Sequence, residues 1–172
     1  ILATEEPTTL TANYVEWEYT YFLQSVVARV DRSNGEYDWT WKITWNGENI
    51  ITGASMTDHS AGWWQFHDPD EDSTDNKTIK VEYTFTSDTQ ATLKFTNNND
   101  SDSDTYGDYI EYELDGTEIS VLFHDVHGES DNTGDLVETT VYWDTVTEAG
   151  GVSIDATDNN DDDSCTWDPN TK

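Results

Sequence analysis

The sequence predicts an all-β protein: an antiparallel β-sandwich or jelly roll of about eight or nine strands, with an N-terminal arm or edge strand. Three observations predict this class. Apolar and polar residues alternate with period two, turn signals separate the alternating segments, and no stretch combines a 3.6-residue period with helix caps. A closed barrel is the structural alternative. The length of 172 residues is ordinary for one such domain.

The first strands lie in a segment rich in Trp and Tyr. In residues 15–23 aromatic and aliphatic side chains occupy every odd position, and residues 22–30 are expected to be strand that continues into a turn at residues 31–35. Residues 37–45 alternate more regularly, with Trp, Tyr or Ile at each odd position. Asn46-Gly47 is a strong hairpin signal, and the chain is expected to return through Ile50 and Ile51.

The remaining strands follow at similar spacing. Asp115-Gly116 marks a second hairpin, and Gly150-Gly151 introduces the last short strand. The predicted strands are centred on residues 79–85, 91–95, 110–114, 119–123, 137–143 and 152–154. The pattern indicates an arm at residues 1–13, a body at 14–156 and an acidic C-terminal segment at 157–172.

Charge is the most unusual property of the chain. It has 37 Asp and Glu but only 7 Lys and Arg, a formal net charge of −30. Such a charge disfavours binding to nucleic acid or to an anionic membrane surface, since both need clustered Lys and Arg. Because 8 Trp, 9 Tyr and 5 Phe accompany the acids, the composition is not that of a disordered tail.

This composition resembles that of exported or surface β-sandwich proteins of extreme halophiles, haloarchaea above all. The resemblance covers the whole chain but matches no specific family. It implies a protein that stays hydrated in brine, where self-repulsion is screened because the Debye length falls to about 3 Å near 1 M salt. It also implies an extracellular, cell-surface or virion-surface location.

Two further features limit the alternatives. No run approaches the roughly 20 apolar residues of a membrane-spanning helix, so no spanning segment is expected. Cys165 is the only cysteine, so it cannot form an internal disulfide. A buried thiol and an intermolecular bridge both remain open for it.

One acidic loop has the spacing of a calcium site. Its carboxylates occupy positions one, three, five, nine and twelve of a twelve-residue segment, as in the EF-hand loop. Thr105 stands where that loop needs Gly, and the flanks are predicted strands, so a solvated loop is the alternative. The candidate calcium ligands are Asp100, Asp102, Asp104, Asp108 and Glu111.

The segment from Trp63 to His67 is the best candidate for a ligand or interface site. Adjacent Trp63 and Trp64 must point to opposite sides of an extended strand, so one of them is expected near the surface. An exposed Trp next to Phe66 and His67 could stack on a sugar ring or anchor a protein contact. A Trp folded over the edge of the core is the alternative.

No catalytic motif is present, and the sequence favours a non-enzymatic function. The first hypothesis is a structural or assembly subunit of an extracellular or virion surface structure, such as a filament, pilus or surface layer. Apolar Ile1, Leu2 and Ala3 could dock on a sheet edge of the same chain, another copy or a neighbouring surface protein, by strand addition. The alternative is a carbohydrate-binding or adhesion module with a calcium-binding acidic loop.

Overall fold

The computed structural model describes residues 6–69, 77–99, 105–125, 137–156 and 163–169. In these ranges the chain forms thirteen β-strands and no helix. The strands are β1 (Thr9–Leu10), β2 (Tyr14–Tyr21), β3 (Gln24–Arg32), β4 (Trp39–Trp45), β5 (Glu48–Ser55), β6 (Ala61–His67), β7 (Lys77–Ser87), β8 (Gln90–Asn97), β9 (Tyr109–Asp115), β10 (Glu118–Asp125), β11 (Val137–Asp144), β12 (Gly150–Ala156) and β13 (Asp163–Trp167).

The strands follow one another in a single open sheet, in the order β1 to β13. Antiparallel pairing joins consecutive strands, as expected when short turns connect them. The all-β antiparallel prediction is therefore confirmed. A sandwich or jelly roll is not confirmed, since the described strands belong to one sheet, and they outnumber the eight or nine predicted.

The additional strands lack the alternation on which the prediction depended. β1 has only two residues, and β6 carries Trp63 and Trp64 side by side, which interrupts the period of two. β13 lies within the predicted acidic C-terminal segment, where no strand was expected. Between β2 and β3, the structure has a hairpin turn at Phe22 and Leu23, where the sequence predicted strand.

The chain divides into two compact units, Ile1–Ile79 and Lys80–Lys172, and the boundary falls within β7. In the first unit, residues paired across neighbouring strands lie on the same face. One row runs Trp17, Ala28, Ile43, Ile51 and Phe66 from β2 to β6, so this face is apolar. The opposite face carries mostly polar and charged residues of the same strands, such as Arg29 and Lys42, together with the buried Ala54.

The second unit repeats this separation. One row on its apolar face runs Leu93, Tyr112, Val121, Val141 and Val152 from β8 to β12. The intervening positions of these strands point to the other face and are mostly polar. Cross-strand apolar neighbours are therefore the main packing contacts within each unit.

Deep burial is rare among the described residues. The buried apolar residues among them are Ala28, Ala54, Val81 and Val121, and no large side chain is fully buried. Most aromatic residues of the apolar faces keep a substantial exposed fraction.

In each unit, a strand glycine leaves the space that an indole ring occupies. A Cβ atom added to Gly53 would lie 2.3 Å from Cζ2 of Trp41, and one added to Gly150 would lie 2.5 Å from Cζ2 of Trp167. Gly53 is paired with Trp41 and Gly150 with Trp167 on the neighbouring strand. The indoles thus lie across glycine backbone, which compensates for the missing side chain of a strand glycine.

We predict that Gly53→Ala destabilises the protein by about 1–3 kcal/mol, because its methyl group would overlap Trp41 and the Trp63 carbonyl oxygen. Urea unfolding followed by tryptophan fluorescence measures this change. Gly35→Ala is the matched control, since its Cβ would lie 3.4 Å from Ser33 Oγ. Equal stabilities of the two variants would contradict this account of the glycine.

Candidate functional site

The structure divides the four residues of the predicted β6 site between two faces. Trp64 lies on the apolar face opposite Gly53, with 43% of its surface exposed, and its ring meets that of Trp41 edge to face at 6.0 Å. Trp63 lies on the polar face opposite Ala54. The two indoles therefore do not form one platform.

Phe66 and His67 follow the same alternation. Phe66 lies opposite Ile51 on the apolar face. The His67 Nε2 atom is 2.9 Å from the Thr52 Oγ1 atom, which belongs to the polar face. Trp64 and Phe66 are therefore part of a wider apolar surface, while Trp63 and His67 lie on the polar face.

The predicted calcium loop is only partly described. Asp100, Asp102 and Asp104 lie outside the described residues, as do Ile1, Leu2 and Ala3 of the predicted assembly arm. Glu111 lies on β9, where its Oε2 is 3.6 Å from Nζ of Lys94, and Asp108 immediately precedes that strand. Across the described ranges, no group of three or more His, Cys, Asp or Glu could hold a metal ion. Calcium binding stays a prediction.

The polar face of the second unit carries a ladder of interacting side chains. Nδ1 of His124 lies 2.8 Å from Oε1 of Glu138, and the Tyr109 ring stacks on His124 with centroids 4.3 Å apart. The Lys94 ammonium lies 3.3 Å from the centre of the Tyr109 ring. Burial, followed by the charges of Glu138 and Glu111, raises the pKa of Tyr109. This ladder joins β8 to β11 and stabilises the sheet.

A similar cluster surrounds Arg29 in the first unit. Its guanidinium donates two hydrogen bonds to Oδ1 of Asp31, at 2.7 and 3.0 Å, and lies 3.9 Å from the centre of the Tyr14 ring. The hydrogen bonds from Arg29 lower the pKa of Asp31. Arg29, Lys80 and Lys94 all have carboxylate partners within the chain, so much of the small positive charge is neutralised internally.

Among the described residues, an exposed apolar surface of the sheet is the most extensive candidate for a contact site. In the second unit, the apolar-face residues with more than a third of their surface exposed are Phe85, Leu93, Phe95, Tyr112, Phe123, Ile154 and Trp167. Strands β8 to β13 place two charged residues at positions on this face, Asp125 and Asp163, each at the end of its strand. A large apolar surface is typical of an interaction site.

A second apolar feature was not anticipated from the sequence. The turn residues Phe22 and Leu23 are 84% and 97% exposed. The available signal was the absence of charge from residue 19 to residue 28, in a chain in which 26% of residues are charged. The hydrophobic period alone could not separate these turn residues from the adjoining strands.

A shallow depression of about 460 Å³ lies at one end of β11 to β13. Its lining includes Tyr142, Trp167 and the carboxylates of Glu118, Asp144 and Asp168. Nε1 of Trp167 donates a hydrogen bond to the carbonyl oxygen of Glu148 at 3.0 Å, which orients the indole. Aromatic rings beside carboxylates can contact the apolar and hydroxyl groups of a sugar.

Comparison with known proteins gives no assignment, since no protein-family model, curated protein or solved structure matches the chain significantly. In the part of the chain that the structure describes, no helix is long and apolar enough to cross a membrane.

Asp144 organises the turn between β11 and β12. Its Oδ1 accepts hydrogen bonds from the backbone of Val146 at 2.9 Å and Thr147 at 2.6 Å, and its Oδ2 accepts one from the Thr117 hydroxyl. The hydrogen bonds from Thr117, Thr147 and Val146 lower the pKa of Asp144 to about 2. This carboxylate therefore has a structural role and is a poor proton donor near neutral pH.

We predict that the stability supplied by Asp144 is lost in acid. A carboxylate with a depressed pKa in the folded state stabilises that state above its unfolded pKa near 3.8, and this stabilisation disappears as the pH falls towards about 2. Between pH 5 and pH 2, the free energy of unfolding should fall further for the natural chain than for Asp144→Asn. Urea unfolding at constant ionic strength measures both, and equal losses would exclude this role.

Proposed function

We propose that the chain is a non-enzymatic structural or assembly subunit of an extracellular or virion surface structure of an extreme halophile. The exposed apolar face of the sheet is the observation that carries this proposal. A sheet with one apolar face is stable in water when that face packs on another layer. The proposed covering layer is the same face of a second copy.

The size of the face supports self-association. The face of β8 to β13 has a footprint of roughly 650 Å². This area follows from six strands spaced by about 4.8 Å, each about seven residues long at about 3.3 Å per residue. Two copies would then bury about 1,300 Å² in total, within the range of stable protein interfaces. Two sheets packed about 10 Å apart would form the predicted β-sandwich from two chains.

The charge distribution also favours another copy as the partner. The face between β8 and β12 is almost free of charge in a chain with a net charge of −30. An identical apolar face can cover it while Asp125 and Asp163, at the ends of β10 and β13, stay at the rim of the contact, since burying an unpaired carboxylate would be costly. Brine supports the contact by screening the repulsion between two acidic chains.

Strand addition is a further route for growth. β1 and β13 stand at the ends of the strand order, so each pairs with a strand on one side only within the described sheet. Such edges can accept a strand from another chain. In this proposal Ile1, Leu2 and Ala3 belong to the arm that supplies such a strand to a second copy or a neighbouring surface protein.

Carbohydrate binding or adhesion is the second candidate function. The depression beside Trp167 and Tyr142 favours it, since it combines aromatic rings with carboxylates. In this alternative, Trp63 or Trp64 and a calcium ion in the acidic loop would provide additional contacts.

We predict that the chain forms concentration-dependent assemblies in about 3 M KCl. Replacing both Phe95 and Phe123 by Ser should weaken assembly at least about tenfold, because exposed aromatic anchors dominate interface energies. Light scattering across a concentration series measures this effect. Leu122→Ser is the matched control, since Leu122 neighbours Phe123 on β10 but points to the polar face.

Equal losses in the Phe95/Phe123 variant and in Leu122→Ser would contradict assembly through the apolar face. A monomer at all concentrations in brine would contradict the proposed function as a whole. Deleting residues 1–12 tests the arm separately, and unchanged assembly would exclude strand addition by that segment.

The melting temperature of the protein should be lower in about 0.1 M salt than in molar salt, because the repulsion between its carboxylates is then less screened. An equal melting temperature at both salt concentrations would contradict the halophilic origin.

A further inference from the structure

The hairpin between β2 and β3 ends in an apolar tip. Tyr21 pairs with Gln24, so Phe22 and Leu23 alone form the turn. Tyr21 is 75% exposed, and its ring meets that of Phe22 edge to face with centroids 4.6 Å apart. Three consecutive large apolar or aromatic side chains thus protrude at one end of the first unit.

This tip is not explained by the requirements of the turn. Phe22 has a φ of 55°, in the left-handed region that a bulky residue adopts only at a cost in free energy. Two-residue hairpins favour Gly or Asn at such positions. The adjacent hairpin follows this rule, with Asn46 at φ 50° and Gly47 at φ 92°. The protein thus has bulky apolar residues where small or polar ones would stabilise the turn.

Residues 19–28, which form the tip and the adjoining parts of β2 and β3, carry no charge. Glu18 and Arg29 are the first charged residues on either side of the tip in sequence. On the neighbouring hairpin, Glu48 pairs with Trp45, which in turn pairs with Val26. At 3.3 Å per residue, these three charges lie roughly 10 Å or more from the turn.

This spacing matches insertion into the surface of a lipid bilayer. Interfacial protein segments bury their apolar side chains about 5–10 Å deep, at the boundary between head groups and acyl chains. Tyr19 pairs with Val26 and so lies at the level of Trp45, about 10 Å behind the tip. Tyr and Trp favour the head-group region, so their place behind an apolar tip fits this depth.

We propose that the Phe22-Leu23 tip inserts into the interfacial layer of a lipid bilayer. The driving force is burial of apolar surface, because the acidic chain lacks the clustered basic residues that bind anionic head groups. A protruding tip needs no preformed pocket in a fluid bilayer. This inference goes beyond the proposed function, since it assigns a membrane contact to a part of the chain separate from the apolar face of the second unit.

The test uses the full chain and phosphatidylcholine vesicles in about 1 M NaCl, with the bound fraction measured by flotation. The double variant Phe22→Gly, Leu23→Ser should lose at least about tenfold in vesicle affinity. Its melting temperature should equal or exceed that of the natural chain, because Gly suits the turn conformation. Loss of binding without loss of stability would assign the tip to the membrane contact.

Val146→Ser is the matched control. Val146 is an apolar turn residue with 74% exposure, but Asp144 and Glu148 flank it, so vesicle binding should be unchanged. The proposal is overturned if the natural chain does not float with the vesicles. It is also overturned if the tip variant binds as strongly as the natural chain, or if the tip variant and Val146→Ser lose binding equally. If the tip variant loses self-assembly but the natural chain binds no vesicles, the tip is a protein contact.

Discussion

The structure depends on the separation of apolar and acidic residues onto opposite faces of one sheet. In a strand, alternate side chains point to opposite sides, and antiparallel pairing without crossovers keeps each side continuous from strand to strand. Rows such as Trp17, Ala28 and Ile43 are the result. Within each unit, apolar-face side chains such as Trp64, Phe95 and Phe123 keep more than a third of their surface exposed.

The same separation gives the acidic charge a physical role. Arg29 and Lys94 are held by carboxylates and aromatic rings of the polar face, and the excess of acidic residues leaves the net charge strongly negative. This charge keeps one face hydrated and opposes association in dilute salt. The apolar face of the second unit and the Phe22-Leu23 tip are two parts of the described chain with little or no charge, and each is proposed as a contact surface.

The sequence predicted the strand type, most strands and the Asn46-Gly47 hairpin because alternation and turn chemistry are local signals. It failed for β6, where Trp63 and Trp64 interrupt the alternation, and for the Phe22-Leu23 turn, which lacks turn residues. Alternation also indicates that one face is apolar without indicating which layer covers it. A two-layer sandwich was therefore predicted where the structure has one sheet. The sequence did predict that Trp63 and Trp64 point to opposite faces, and this separation divides the predicted site.

The reactivity of Cys165 tests most directly whether a second copy covers the apolar face. This single cysteine is exposed and pairs with Val152 on that face, so its thiol reports on access to it. In about 3 M salt, the rate of alkylation by a maleimide should fall as the protein concentration rises through the assembly range. A rate independent of protein concentration, while light scattering records assembly, would contradict the face-to-face contact.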